Sequence, residues 1–241
     1  MPAPKYTIAK QEELIVDAAV ECVLESSLLD FKMSNIAKSA GISMGSVYKH
    51  VQSKEDVLVA LSVRIDSQAL KVIQEVLALP YTLPVKIIAI HLLSQEAMYR
   101  YPFGYQLINM MSAEDLLAKA SVNWVTKLAH KAQEIRGLFQ NSLNEAVQKE
   151  ELLCSAEEKD ELIEEIMFLH WALNIAFPQI LSQPYDTNKS SNRSVRSEPI
   201  ALNHPIIRTA IRTTNSYPWK NPVSIKDLIA IEKLLIERGL R

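Results

Sequence analysis

One short stretch, residues 34–54, constrains the fold of this chain more than any other. Two segments of helical length flank Gly41, Ile42 and Ser43. Glycine adopts positive φ without steric cost and so ends helices, and a serine hydroxyl can cap the amides of the next helix. The stretch therefore predicts two short helices, a tight turn between them and the start of a third helix. A short, capped helix with a polar outer face, here residues 44–50, is typical of an element that enters a DNA major groove.

These residues resemble the tetracycline-repressor (TetR) family of bacterial regulators. The resemblance extends over about residues 7–60, roughly a quarter of the chain, and it is specific because the order and the spacing of the motif both agree. It rests on Ile36-Ala37, Ala40 to Ser43, Gly45 to Tyr48, His50-Val51 and Ser53-Lys54. The resemblance implies a homodimer that binds a palindromic double-stranded DNA operator, with its two recognition helices about one helical turn (~34 Å) apart.

The resemblance also implies roles for single residues in DNA binding. Tyr48, His50 and Lys54 occupy positions that face phosphate, and the amino terminus of the following helix assists Lys54. The exposed side chains of the recognition helix are expected to read base edges; these are Met44, Ser46 and Lys49. Two serines near the helix starts and a glycine that lets the backbone approach DNA complete the expected set, namely Ser34, Ser43 and Gly45.

Three departures from the family pattern concern the cap, the end of the recognition helix and one loop. Lys32 stands where the family usually has threonine, so the cap of the second helix is either lost or moved to Ser34. Val51 replaces a common phenylalanine, and residues 26–30 contain no glycine. We expect the fold to survive these departures, but they leave the operator sequence open.

Composition and charge limit the class of protein. The chain has 241 residues, 48% of them apolar and 22% charged, and no apolar run long enough to cross a membrane. It also lacks a signal-peptide pattern at its start, so we expect a cytoplasmic protein. The net charge is −2, yet residues 30–54 contain four lysines and one aspartate. A basic face on an acidic remainder permits DNA binding.

Apolar residues recur at helical spacing along the rest of the chain, and no strand pattern occurs. The prediction is an all-α fold: a three-helix helix-turn-helix bundle over residues 1–52 and a larger helical domain for ligand binding and dimerisation over 53–241. Residues 53–79 are expected to form a linking helix, and the polar segment 183–199 a mobile loop. Further helices are expected at about 7–26, 84–99, 105–111, 114–149, 155–178, 204–213 and 224–238.

Rings and methionines mark a candidate effector site. A helix break at residues 99–104 is rich in rings, and breaks between helices are where bundles leave cavities. We expect an apolar or amphipathic small molecule there, although each of these residues is individually more typical of a core. The candidate lining residues are Tyr99, Phe103, Tyr105, Met110, Trp124 and Trp171.

Catalysis, metal binding and cofactor binding find no support in the sequence. The histidines are scattered without ligand spacing, Cys22 and Cys154 are isolated, and adjacent Glu164 and Glu165 point apart on a helix. A glycine-rich phosphate loop and a nucleophile elbow are both missing. We therefore expect no metal, no cofactor and no enzyme activity.

Dimerisation is expected to use the helix at about residues 157–181 and the last helix, with Ile225, Leu228, Ile229, Ile231 and Leu235 on its apolar face; these faces could instead serve the core alone.

The leading hypothesis is a transcriptional regulator, most often a repressor in this family, whose effector changes the spacing of the recognition helices by moving the linking helix. The alternatives are a nucleoid or cell-division interaction protein that uses DNA as a scaffold and an all-α enzyme.

Overall fold

The computed structural model describes residues 6–182 and 199–241, and within these ranges the regular elements are all helices. One isolated bridge pairs Leu152 with Trp219. The helices are α1 (Ile8–Glu25), α2 (Met33–Ala40), α3 (Met44–His50), α4 (Lys54–Leu77), α5 (Leu83–His91), α6 (Gln95–Tyr99), α7 (Gly104–Met110), α8 (Glu114–Lys119), α9 (Val122–Gln148), α10 (Lys159–Ser182), α11 (Pro205–Asn215) and α12 (Ile225–Glu237). The predicted all-α fold is confirmed. No helix in the described part of the chain is both long and apolar enough to span a membrane.

The chain divides into two compact units. The first consists of Met1–Gln68 and Tyr99–Gln133, and the second of Ala69–Met98 and Glu134–Arg241. These units differ from the division at residues 52 and 53 expected from the sequence, because the start of α4 and residues 99–133 pack with α1–α3. Helices α4 and α9 each contribute residues to both units.

The core of the first unit is built from the apolar faces of α1 to α4. Thr7 caps α1, its hydroxyl accepting a hydrogen bond of 3.2 Å from the amide of Lys10. Ile15 on α1, Phe31 before α2, Ile36 on α2 and Val47 on α3 are almost fully buried in one cluster. Because α2 and α3 are too short to be stable alone, burial of these side chains is what holds them in place.

Among its described residues, the second unit has two apolar clusters. Ile88 of α5, Ile207 of α11 and Ile231 of α12 are fully buried in one of them. A capping box between Ser224 and Asp227 starts α12. Leu228, Ile231 and Leu235, which the sequence offered for dimerisation, belong to this core, whereas Ile225 and Ile229 of the same helix are exposed.

Several predicted helices are interrupted or shifted. The helix expected at 84–99 is broken between His91 and Gln95, where the amide of Ser94 donates to the carbonyl of Leu240 (2.9 Å). The helix expected at 114–149 is likewise broken at residues 120–121. The helix expected from residue 155 begins at Lys159 and continues to Ser182, beyond the predicted end at 178. Of the predicted loop at 183–199, residues 183–198 lie outside the described residues.

Candidate nucleic-acid interface

The turn between α2 and α3 has the geometry that the sequence predicted. Gly41 ends α2 with φ 63°, and its amide and that of Ile42 bond to carbonyls of the last turn at 3.2 Å. Ser43 caps α3 by accepting from the amide of Ser46 at 3.1 Å. Lys32 makes no side-chain cap at the start of α2, and Ser34, exposed in its first turn, does not replace it. The threonine-to-lysine departure therefore costs α2 its side-chain cap.

The exposed face of α3 is smaller than the sequence suggested. Tyr48 is 46% exposed and Lys49 is exposed, whereas Met44 is half-buried because it packs against the apolar cluster of the first unit. Ser46 is also half-buried, and its hydroxyl lies 3.0 Å from the hydroxyl of Ser43. The expectation that Met44 and Ser46 would be exposed is thus corrected. Lys49 remains as the exposed base-reading candidate.

Two of the three expected phosphate contacts already have partners within the first unit. Nε2 of His50 lies 3.3 Å from Oε1 of Gln11 on α1. The ammonium group of Lys54 donates to the carbonyl of Leu29 at 3.1 Å and lies 4.9 Å from the ring centre of Phe31. An ammonium group has three donors, so Lys54 can contact phosphate without losing this bond.

The amino terminus of α4 is held by the buried carboxylate of Asp56. Ser53 accepts from the amide of Asp56 at 3.0 Å, which is half of a capping box. The carboxylate of Asp56 does not return the bond to Ser53; it accepts from the amide of Gln52 at 2.7 Å and from that of Ser121 at 2.6 Å. Asp56 is fully buried, and its contact with Ser121 could not be predicted from the sequence.

Exposed lysines occur on α3, on α2 and directly before α2. Lys32, Lys38 and Lys49 are exposed, and within the described part of the chain none of them forms an ion pair. Gly45 is exposed, and a Cβ at this position would meet only the Ser43 hydroxyl, at 3.9 Å. The surface can therefore present uncompensated positive charge and bare backbone to a nucleic acid.

Five of the six candidate effector residues lie in the first unit. Phe103 and Trp124 are buried in its core, and Met110 packs against that core. The rings of Tyr99 and Tyr105 are 5.6 Å apart. Trp171 lies in the second unit and is 59% exposed on α10, so it does not line an enclosed site there.

Asp66 on α4 was missed by the sequence analysis. Burial raises the pKa of its carboxyl group to about 6. Burial also raises the pKa of Tyr99 to about 12, with smaller contributions from Tyr105 and Asp66. A single aspartate within a helical pattern gives no signal in sequence, although in the structure its charge contributes to the raised pKa of Tyr99, far along the chain.

The sequence also did not reveal a buried series of hydrogen bonds in the second unit, which joins Thr214, His170 and His91. The hydroxyl of Thr214 donates to the carbonyl of Ala210 (2.7 Å) and lies 3.4 Å from Nε2 of His170. It therefore accepts from that nitrogen, which leaves Nδ1 of His170 to accept from Nε2 of His91 at 3.1 Å. Burial lowers the pKa of both imidazoles, and for His91 the neighbouring His170 adds to this. Both histidines are therefore neutral at neutral pH.

A cleft of about 480 Å³ in the second unit contains none of the predicted effector residues. Its walls include Tyr81, Thr82 and Val85 on one side and Asn221 and Pro222 on the other. Among the described residues, no group of three or more histidine, cysteine or acidic side chains is placed to bind a metal ion.

A capped turn, a short third helix with a basic exposed face, and a helical remainder define a helix-turn-helix protein of the all-α class. Residues 15–61 match the model of a family described as bacterial regulatory proteins, tetR family. Residues 15–61 are thus similar to the TetR family over that segment, and the resemblance predicted from the sequence is confirmed.

Comparison with single proteins agrees with this assignment. The chain is 43% identical over 47 residues to the fatty acid metabolism regulator protein of Bacillus subtilis (strain 168). That match spans 20% of this chain and 24% of the relative, about a quarter of its length.

Solved structures show the same fold over most of the chain. Salmonella enterica GusR superposes with a TM-score of 0.53 at 18% identity, covering 86% of this chain and 95% of that one. A bacterial regulatory protein of the tetR family from Rhodococcus RHA1 gives 0.52 at 15% identity, covering 88% and 99%. At such low identity these likenesses concern the fold alone.

Proposed function

We propose that this chain is a transcriptional repressor that binds operator DNA as a homodimer and is released by a small molecule. The observation that carries the proposal is α3: a capped helix whose apolar side is anchored by Val47 and whose exposed side presents Tyr48 and Lys49. It lies within residues 15–61, the segment that matches the family model. In this proposal the chain acts in the cytoplasm as a binding protein and not as an enzyme.

The proposed docking assigns two kinds of contact. Lys49 reads base edges, because a lysine in the major groove can donate to the acceptors of guanine. Tyr48, His50 and Lys54 contact phosphates and fix the position of the helix. Ser43 and Ser46 shape the start of α3 through their mutual hydrogen bond, and Met44 contributes the exposed part of its side chain. Gly45 lets the backbone come close to DNA, and Ser34 offers an exposed hydroxyl in the first turn of α2.

The homodimer is proposed to form through exposed apolar side chains of the second unit. Phe168, Trp171 and Ile175 follow one face of α10 at helical spacing, with Phe168 and Trp171 in edge contact at 6.3 Å. Ile225, Ile229 and Ile236 do the same on α12. Large exposed rings are rare on monomers, and a two-fold axis lets the same patch of both copies bury them.

The proposed effector is an apolar or amphipathic molecule. Tyr99, Tyr105 and Met110 are half-buried side chains of the predicted set and offer apolar surface with two hydroxyl groups. The Bacillus subtilis relative is named for fatty acid metabolism, so an acyl-CoA is the first effector to test. Phe103 and Trp124 act in this proposal by packing beneath the site, and Trp171 acts in the dimer.

Selection of bound sequences from a random pool of duplexes tests the proposal. The expected product is an inverted repeat with half-sites about 10 bp apart, since a two-fold dimer reads two successive major grooves. Failure to enrich any sequence would overturn sequence-specific binding. Adding stearoyl-CoA, with free CoA as the control, should release the enriched duplex. Stable binding in both cases would instead favour a DNA-scaffolded protein that has no response to acyl chains.

A further inference from the structure

We propose that the connection between α8 and α9, residues 120–124, positions the recognition helix α3 through two hydrogen bonds. The bonds join Trp124 to His50 and Ser121 to Asp56. The inference rests on the proposed function, because it assigns to this segment control over the same DNA-binding surface. It adds positioning residues that lie more than sixty positions away in sequence from the helix that they hold.

The first bond closes the end of α3. The indole Nε1 of Trp124 donates to the carbonyl oxygen of His50 at 2.8 Å, and the indole is 4% exposed. His50 is the last residue of α3, and the final carbonyls of a helix have no partner within it. Trp124 therefore supplies a cap that α3, with only two turns, cannot supply for itself.

The second bond holds the connection from α3 to α4. One oxygen of the Asp56 carboxylate accepts from the amide of Gln52 (2.7 Å), and the other accepts from the amide of Ser121 (2.6 Å). The Asp56 side chain is fully buried, and hydrogen bonds in a dry site are stronger than in water. Asp56 thus links residues directly after the recognition helix to the residue directly before α9.

A third contact ties the start of α9 to α1. The ammonium group of Lys127 lies 4.0 Å from the ring centre of Trp124 and pairs with the carboxylate of Glu12 on α1. Ser121 and the first turns of α9 together therefore contact α1, the end of α3 and the start of α4. A helix-turn-helix held only by its own core would need none of these contacts.

Helix α9 extends from these contacts into the second unit. It supplies Val122–Gln133 to the first unit and Glu134–Gln148 to the second. A shift or rotation of α9 changes the positions of Ser121 and Trp124, and through their bonds the angle at which α3 meets DNA. Binding of an effector can act on operator affinity by this route to the extent that it favours one position of α9.

Trp124→Phe tests the first bond with the ring retained. Its matched control is Trp219→Phe, because Nε1 of Trp219 makes the same kind of bond, 2.8 Å to the carbonyl of Thr214, in the second unit. The full-length protein is titrated with the selected duplex and with a scrambled duplex. We expect Trp124→Phe to weaken binding to the selected duplex about five- to tenfold, the cost of one buried hydrogen bond, and binding to the scrambled duplex much less. Trp219→Phe should leave the ratio of the two affinities unchanged.

Ser121→Pro tests the second bond if Trp124→Phe does not fold. It removes the amide donor together with the serine hydroxyl, at a position before the first turn of α9 where proline is tolerated. The preceding Ala120 has ψ 153°, which suits a residue before proline. Ser121→Pro should lose preference for the selected duplex over the scrambled duplex, as expected for Trp124→Phe.

Spectra of the unmodified protein provide a test without a variant. With ¹⁵N-labelled tryptophan, the indole resonance of Trp124 should shift when the selected duplex is added, whereas that of Trp219 should not. Equal affinity ratios in the tryptophan variants, or an unchanged Trp124 resonance in the complex, would overturn this inference and leave the proposed function standing. A wild-type protein that prefers no duplex would overturn both.

Discussion

The side chain of Lys54 bridges to Leu29, with its ammonium nitrogen 3.1 Å from the carbonyl oxygen of that residue. The bond joins the first turn of α4 to the connection between α1 and α2, and the ring of Phe31 lies beside the same ammonium group. Lys54 therefore has a structural role within the first unit in the absence of DNA. Its expected role in DNA binding adds to that bond.

Lys54→Ala should weaken binding to every duplex to a similar degree. Loss of one phosphate contact is expected to lower the slope of log affinity against log salt by about 0.9. The variant should also lose about 0.5–1 kcal/mol of unfolding free energy, because the bond to Leu29 and the contact with Phe31 disappear. Anisotropy titrations at several salt concentrations and thermal melts measure the two effects. Lys233→Ala, which removes the same charge from α12, is the control; an equal slope in both variants would contradict the phosphate contact.

Asp66→Asn should stabilise the protein at pH 7.5. The pKa of Asp66 is raised from 3.8 to about 6 in the folded state, so the folded chain holds this proton more tightly than the unfolded chain does. The contribution of protonated Asp66 to the stability of the fold is fully present below pH 3.8 and is lost as the pH rises to about 6. Above that pH the ionised form costs up to about 3 kcal/mol, which the asparagine avoids.

Thermal melts of the Asp66 variant at pH 7.5 and pH 4.5 measure this difference. The gain in melting temperature should be large at pH 7.5 and should shrink at pH 4.5. Asp160→Asn, on the exposed surface of α10, should change neither value. A gain that is equal at both pH values would mean that the charge of Asp66 is not its source.

The buried imidazole pair should make the second unit sensitive to acid. Burial holds the pKa of His91 and His170 below 6.5, so the unfolded chain takes up protons that the folded chain does not. Stability from this pair is complete above pH 6.5 and falls as pH drops below it. His91→Phe, whose ring can pack on Phe177, should reduce the loss of melting temperature between pH 7 and pH 5. If the melting temperature of His91→Phe falls as much between pH 7 and pH 5 as that of the wild type, the acid sensitivity comes from other groups.

Trp171→Glu should produce monomers if α10 forms the dimer. A charge in the middle of an apolar interface is left desolvated and unpaired, which costs several kcal/mol. Light scattering coupled to size exclusion gives the mass directly. The control is Leu153→Glu, since Leu153 is also an exposed apolar residue, at 49%, but lies outside α10 and α12. A dimer that survives Trp171→Glu at micromolar concentration would rule out this face.

Local chemistry could be predicted from sequence where neighbouring residues decide it. Gly41 ends α2 and Ser43 caps α3 because backbone conformation and capping depend on a few adjacent residues. The breaks before α6 and α9 could not be predicted. They depend on the partners Leu240 for Ser94 and Asp56 for Ser121, which are distant in sequence.

In the candidate site, too, features that depend on residues distant in sequence could not be predicted. Lys49 is exposed as expected, because the period of α3 places it opposite Val47. Trp124 was expected near a ligand, yet its indole bonds to His50, a relation that no periodicity reveals. Asp66 and the histidine pair became visible only with the packing around them.

The affinity of Lys49→Ala for the selected duplex and for its single-base variants shows whether α3 reads the operator. If α3 reads the operator, the wild type should prefer the selected duplex, and each good base contact should be worth about 1–3 kcal/mol. The variant should lose that preference at one base pair of each half-site and retain it elsewhere. Wild-type protein that binds all these duplexes equally, or Lys49→Ala that keeps the full preference at every base pair, would contradict the account.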